Sequence, residues 1–235
     1  MVSIELIPAI VLILAGIFLW IEKALDFPSI LVTMAISYFI WTLRGFYWFL
    51  LLFVFFVVAY LSTKIHSLSK PNETHERRTT DNIISNGLVA FMSALFGFPY
   101  LYLGSIAAAL ADTMSSEIGM LSKEKPFLIT NPYKTVAPGT HGGITFFGTF
   151  AAIIGSIIIA SFAFYFAPEF FAAISMLPNL KVLFVVIIIS GILGSIIDSI
   201  FGALFENNKK LSGGSVNFIA TVSGGLITSG IMWLF

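Results

Sequence analysis

Hydrophobic positions in this chain come in long runs and not in alternation. Eight mostly apolar stretches, roughly 5–22, 28–43, 46–62, 82–97, 99–119, 143–167, 181–205 and 215–234, are separated by short polar segments. Crossing a hydrocarbon core takes about 20 apolar residues in a helix, so the pattern predicts eight transmembrane helices. Two boundaries are narrow. Arg44-Gly45 separates the second and third stretches, and Gly97-Phe98-Pro99 must turn the chain between the fourth and fifth. Pro99 suits a first helical turn, because it lacks the N–H that an interior position requires. Met1 to Trp20 lacks a basic leader and a small-residue cleavage site, so it reads as a retained helix.

Composition strengthens this picture. Of 235 residues, 58% are hydrophobic and 10% charged, and 25 are Phe, against about 25% charged in an ordinary soluble domain. Mean hydropathy is +0.99. The expected fold is an all-α integral membrane protein, one membrane domain over 1–235. Within it, 1–62 would form three N-terminal helices and 75–235 the core that carries the chemistry. The net charge is zero, so no long-range field draws nucleic acid. With no cysteine, a disulfide framework and thiolate metal sites are excluded.

The twelve basic residues orient the bundle. If the helices alternate, Lys23, Lys64, Lys70, Arg77, Arg78, Lys123, Lys125, Lys134, Lys209 and Lys210 share one side, and only Arg44 and Lys181 the other. By the positive-inside rule the crowded side is cytoplasmic and both termini lie outside. The expected location is the cell membrane, multi-pass, with any active site at the cytoplasmic leaflet.

Against that background the few intramembrane polar residues stand out. An acid at the centre of the bilayer costs roughly 2.5–3.5 kcal/mol on insertion scales, so it normally faces a polar interior. In "ALADTMSSEIG", Asp112, Ser115, Ser116 and Gly119 share one helix face. Asp112 stands about 10 Å below the cytoplasmic end. Glu117 points elsewhere unless the helix ends early. "GILGSIIDSIFGALFE" repeats the arrangement, with Gly191, Gly194, Ser195, Asp198 and Gly202 on a stripe. Close helix packing accounts for its glycines but not for Asp198. Two acids at matched depth suggest one shared divalent cation, and hard oxygen ligands favour Mg²⁺.

Three further segments belong to the same side. The run Pro138-Gly139-Thr140-His141-Gly142-Gly143 reads as a glycine-rich turn leading straight into a helix, where backbone N–H groups and the helix dipole attract an anion. Lys134 adds a positive charge. Arg77 and Arg78 precede a helix carrying Asn82 and Asn86, and in the last span Asn217 shares a face with Thr221, Gly224 and Thr228. His66 and His75 lack metal-ligand spacing and read as surface loop residues. Phosphate-loop, zinc-helix and nucleophile-elbow motifs are all absent from the sequence. What remains suits a Mg²⁺-bound polyphosphate.

In order along the chain, "ADTMSSEIG", "ITNPYKTVAPGTHGGITFFGT", "GILGSIIDSIFGA" and "NFIATVSGG" resemble the transmembrane protein 19 family, which includes the plastid phytyl-phosphate kinase. The resemblance covers residues 75 to about 225. It implies a membrane kinase that converts a prenyl monophosphate to the diphosphate, with CTP the donor in related polyprenol kinases. "K-x-x-x-P-G-x-H-G-G-I" is also similar to the C-terminal signature of CDP-diacylglycerol synthases. The D-R-x-D that follows there is replaced here by Thr145-Phe146-Phe147-Gly148.

On this reading Asp112, Lys134, His141 and Asp198 carry catalysis, and Asp112, Glu117 and Asp198 the metal. Arg77, Arg78, Asn82, Asn86, Ser115, Ser116, Gly139, Thr140, Gly142, Gly143, Ser195 and Asn217 bind substrate or nucleotide. The alternatives are a CTP-dependent cytidylyltransferase acting on a lipid phosphate, and a transporter or scaffold. A homo-oligomer is left open.

Overall fold

Each apolar run becomes a helix in the computed structural model, which describes residues 2–70, 79–172 and 177–235. The helices are α1 (Val2–Ile21), α2 (Phe27–Arg44), α3 (Phe46–Ser69), α4 (Thr80–Phe96), α5 (Pro99–Gly119), α6 (Phe146–Tyr165), a short α7 (Ala167–Phe171), α8 (Leu180–Phe201) and α9 (Gly213–Met232). A π-helical turn over Gly202–Glu206 continues α8.

Among the described residues, five helical stretches are long and apolar enough to cross a membrane: α2, α3, α6, α8 with its π turn, and α9. Leu6–Ile21 is a shorter apolar helix, and α4 has 17 residues. Of the eight expected spans, then, all are helical and five qualify as crossings by length and composition. Helix α5 is more polar for a structural reason. It is the axle of the bundle, packed by α3, α4, α6, α8 and α9, with Tyr102, Leu103, Ala107, Ala108 and Leu110 fully buried. A helix screened from lipid by its neighbours need not be apolar all round.

Small residues permit this crowding. A Cβ on Gly104 would stand 2.4 Å from the Gly224 carbonyl oxygen, and one on Gly191 2.3 Å from Ser156 Oγ. Close backbone approach through small residues is how membrane helices gain contact where water provides no drive. At the opposite ends, Arg44 donates to the carbonyls of Ala94 and Leu95. The last carbonyls of α4 are thereby capped by a cation, and Gly97 ends that helix in the left-handed region, φ +76°.

The structure departs from the expectations in three places. The segment after α5 is not a plain loop: β1 (Phe127–Leu128), β2 (Asn131–Thr135) and β3 (Gly143–Ile144) form an antiparallel sheet in the order β2-β1-β3. The sixth helix begins at Phe146, not at residue 143, because the Thr145 side chain accepts the Gly148 N–H at 3.0 Å and takes the N-cap. Helix α3 runs on to Ser69, so His66 is a buried helix residue and not a surface one. His75 lies outside the described residues.

Candidate active site

The contact between α5 and α8 sets the geometry. Ala107 meets Gly191 and Ala108 meets Gly194, where an added Cβ would be 2.4 Å from Ala108 Cβ. The two helices therefore run parallel. One turn beyond Ala108 stands Asp112, and one turn beyond Gly194 stands Asp198. The side chain of Asp112 lies against those of Asp198 and Ser195. Asp198 Oδ1 is buried with no hydrogen-bond partner, and a buried polar atom in that state costs about 1–3 kcal/mol unless something binds it.

Asp198 is also in the wall of a cavity of about 210 Å³. Ser115, Ser116 and Gly119 at the end of α5 form one side, and Ser199, Gly202 and Glu206 at the end of α8 another. The turn from Pro138 to Thr145 closes it. That turn depends on two left-handed glycines, Gly139 at φ +81° and Gly142 at φ +76°. Gly142 also approaches α8 so closely that a Cβ would lie 2.4 Å from Ala203 Cβ and 2.5 Å from the Ser199 carbonyl oxygen. Asn207 Nδ2 donates to the His141 carbonyl at 2.9 Å, and His141 Nδ1 is 3.2 Å from Glu206 Oε2.

Ten expected residues thus gather here: Asp112, Ser115, Ser116, Gly139, Thr140, His141, Gly142, Gly143, Ser195 and Asp198. The glycines act differently from expectation. Gly142 and Gly143 do not open a helix, and the Gly143 N–H is spent on the Thr140 carbonyl at 2.9 Å. They shape the turn and its approach to α8.

Other expected residues lie elsewhere. Glu117 turns to α3, where it accepts from Thr63 Oγ1 at 2.7 Å and meets His66 Nδ1 at 2.8 Å. Lys134 stands on the exposed strand β2. Asn82 completes the capping box of α4 with Thr79, Asn86 donates to the Asn82 carbonyl, and both line a second cavity. Asn217 is partly buried on α9 and in the wall of neither cavity. Arg77 and Arg78 lie outside the described residues.

Two contributors were missed. Glu206 acts electrostatically on both buried acids. Its signal was available, since Asp198, Gly202 and Glu206 fall at four-residue intervals. Asn207, which fixes the glycine turn, follows it directly.

Among the described residues no group of three or more His, Asp or Glu side chains could hold a metal ion unaided. The paired acids with one orphaned oxygen fit Mg²⁺ in its usual mode, which uses one or two carboxylates with water and phosphate oxygens completing the shell.

Comparison with known proteins agrees with the membrane architecture. The chain is 34% identical over 227 residues to an uncharacterized membrane protein of Methanocaldococcus jannaschii, covering 92% of this chain and 90% of that one. It is 32% identical over 152 residues to Protein PGR of Arabidopsis thaliana, covering 54% of this chain and 52% of that protein. To Protein VTE6, chloroplastic, also of Arabidopsis thaliana, identity is 26% over 211 residues, covering 80% and 59%. No solved structure matches. The family model described as "Integral membrane protein DUF92" matches residues 10–234, and the chain belongs to that family.

Proposed function

We propose that this protein is a membrane kinase that phosphorylates a prenyl monophosphate to the diphosphate, with CTP or another nucleoside triphosphate as donor and Mg²⁺ as cofactor. The observation that carries the reading is the meeting of Asp112 and Asp198 beside a cavity floored by a glycine turn. The resemblance to the family that includes the plastid phytyl-phosphate kinase supports it. In the proposed topology the chain crosses the cell membrane eight times, with both termini outside and the cavity at the cytoplasmic leaflet.

The reaction asks for little covalent chemistry from the protein. A phosphomonoester has a second pKa near 6 and is largely dianionic at pH 7. Its oxygen attacks the γ phosphorus, the bond from that phosphorus to the β–γ bridging oxygen breaks, and a nucleoside diphosphate leaves. No strong general base is required. Catalysis of this kind is mostly positioning and charge stabilisation.

The chain's residues divide that work. Ser115 and Ser116 offer hydroxyl donors to phosphate oxygens, while Thr140, whose hydroxyl donates to the Ala137 carbonyl at 2.7 Å, holds the turn in shape. His141, braced by Glu206, orients the acceptor. Asp112 and Asp198 would hold the cation, which when bound would supply charge neutralisation to the polyphosphate. That neutralisation matters because the site itself is acidic, with Glu206 beside the pair.

Purified protein in detergent, given Mg²⁺, CTP or ATP and a prenyl monophosphate, should release the nucleoside diphosphate and the prenyl diphosphate. Release of pyrophosphate with a nucleotidyl-lipid would instead identify cytidylyl transfer, and no turnover with any donor would refute the reading.

A further inference from the structure

A second cavity, about 450 Å³, lies away from the acids and between α1, α2, α3 and α4. Its walls are apolar and aromatic, including Phe18 of α1, Met34 of α2, and Leu52, Phe53 and Phe56 of α3. We propose that this cavity holds the tail of an isoprenoid phosphate, with the chain lying along α3 and the phosphate end at the start of α4. The proposal rests on the kinase reading for its choice of lipid.

Three observations bear on the occupant. The first is size. The volume of about 450 Å³ has room for a short isoprenoid tail. It is also within the roughly 300–1,000 Å³ typical of small-molecule pockets.

The second is polarity. Ser29 Oγ and Thr80 Oγ1 are 3.2 Å apart, which sets the starts of α2 and α4 level. Thr33, one turn beyond Ser29, therefore falls between Asn82 and Asn86 in depth, and all three line the cavity. Thr33 Oγ1 is buried without a hydrogen-bond partner. An amphiphile whose oxygen-bearing end stops at this level satisfies that hydroxyl, whereas a plain hydrocarbon does not.

The third is connection. Asn82 adjoins Asp81, whose carboxylate lies against Gly214, 2.3 Å from where a Cβ would be. The preceding Gly213 lies against Glu206, 2.7 Å on the same measure. Glu206 is in the wall of the acidic cavity. Two adjacent glycines at the start of α9 thus bridge the short gap between Asp81, beside the polar end of one cavity, and Glu206, in the wall of the other.

The cavity offers its own test, because Gly87 lines it and a Cβ there meets nothing within 4 Å. A fifteen-carbon prenyl monophosphate bearing a diazirine on its last isoprene unit is photolysed with the intact protein, and labelled peptides are mapped. The label should fall on α1 to α3, and Gly87→Phe should lower labelling about tenfold, the scale of a modest steric misfit in an apolar pocket. Phe56→Ala, which enlarges the cavity, should move the preference towards a twenty-carbon chain. Labelling confined to α6, α8 or α9, or labelling indifferent to both substitutions, would overturn the tail site. If the label maps to α1–α3 but no donor yields a diphosphate, the kinase reading fails while the tail site stands. If the diphosphate forms with the label elsewhere, the reverse holds.

Discussion

Asp112 and Asp198 meet across two parallel helices, one turn beyond the place where Ala108 packs on Gly194. Replacing either with Asn keeps the shape and removes an anionic ligand. Asp112→Asn and Asp198→Asn should each lower turnover about a hundredfold or more, the scale seen when metal or transition-state contacts are lost. Neither should lower the melting temperature in detergent, because an amide escapes the desolvation cost that burial imposes on a carboxylate. Turnover and thermal melts on the same preparations check this.

Glu117 sits five residues beyond Asp112 and is expected to behave differently. Its bonds to Thr63 and His66 tie α5 to α3. Glu117→Ala should cost about 1–3 kcal/mol of stability while the folded fraction keeps its turnover. A loss of activity with unchanged melting would return Glu117 to the metal site.

How far the sequence carried the reading depends on which physical rule was in play. Helical periodicity gave the faces that Asp112 and Asp198 share with their neighbouring serines, because 3.6 residues per turn holds wherever a helix forms. It does not say which helices adjoin, and only the fold brings α5 beside α8. His66 was misread because hydropathy marks where lipid ends, not where a helix ends, and α3 continues through polar residues to Ser69. The two-residue strands β1 and β3 are too short for alternation to register. At Gly142-Gly143 a glycine turn resembled a helix start, but Thr145 three residues before Gly148 was the stronger N-cap signal.

The glycine turn is anchored from outside by Asn207. Asn207→Ala should release it at a cost of about 0.5–1.5 kcal/mol, roughly two- to tenfold in KM for the nucleotide, with kcat less affected. Steady-state kinetics at saturating lipid separates the two parameters.

Two glycines should respond in opposite directions to the same substitution. Gly104→Ala places a methyl 2.4 Å from a backbone oxygen that cannot move aside, so it should destabilise by about 1–3 kcal/mol. Gly87→Ala meets open space, so it should be neutral or gain up to about 1 kcal/mol from reduced backbone freedom. Paired melting curves give the comparison.

The central claim is that both acids serve one ion and one polyphosphate, and Mn²⁺ in place of Mg²⁺ makes that visible. Electron paramagnetic resonance of the intact protein with Mn²⁺ and a non-hydrolysable CTP analogue should show one bound ion per chain that depends on nucleotide. The account predicts that Asp112→Asn and Asp198→Asn each remove this signal. A bound-ion signal that persists at full strength in either variant would contradict it.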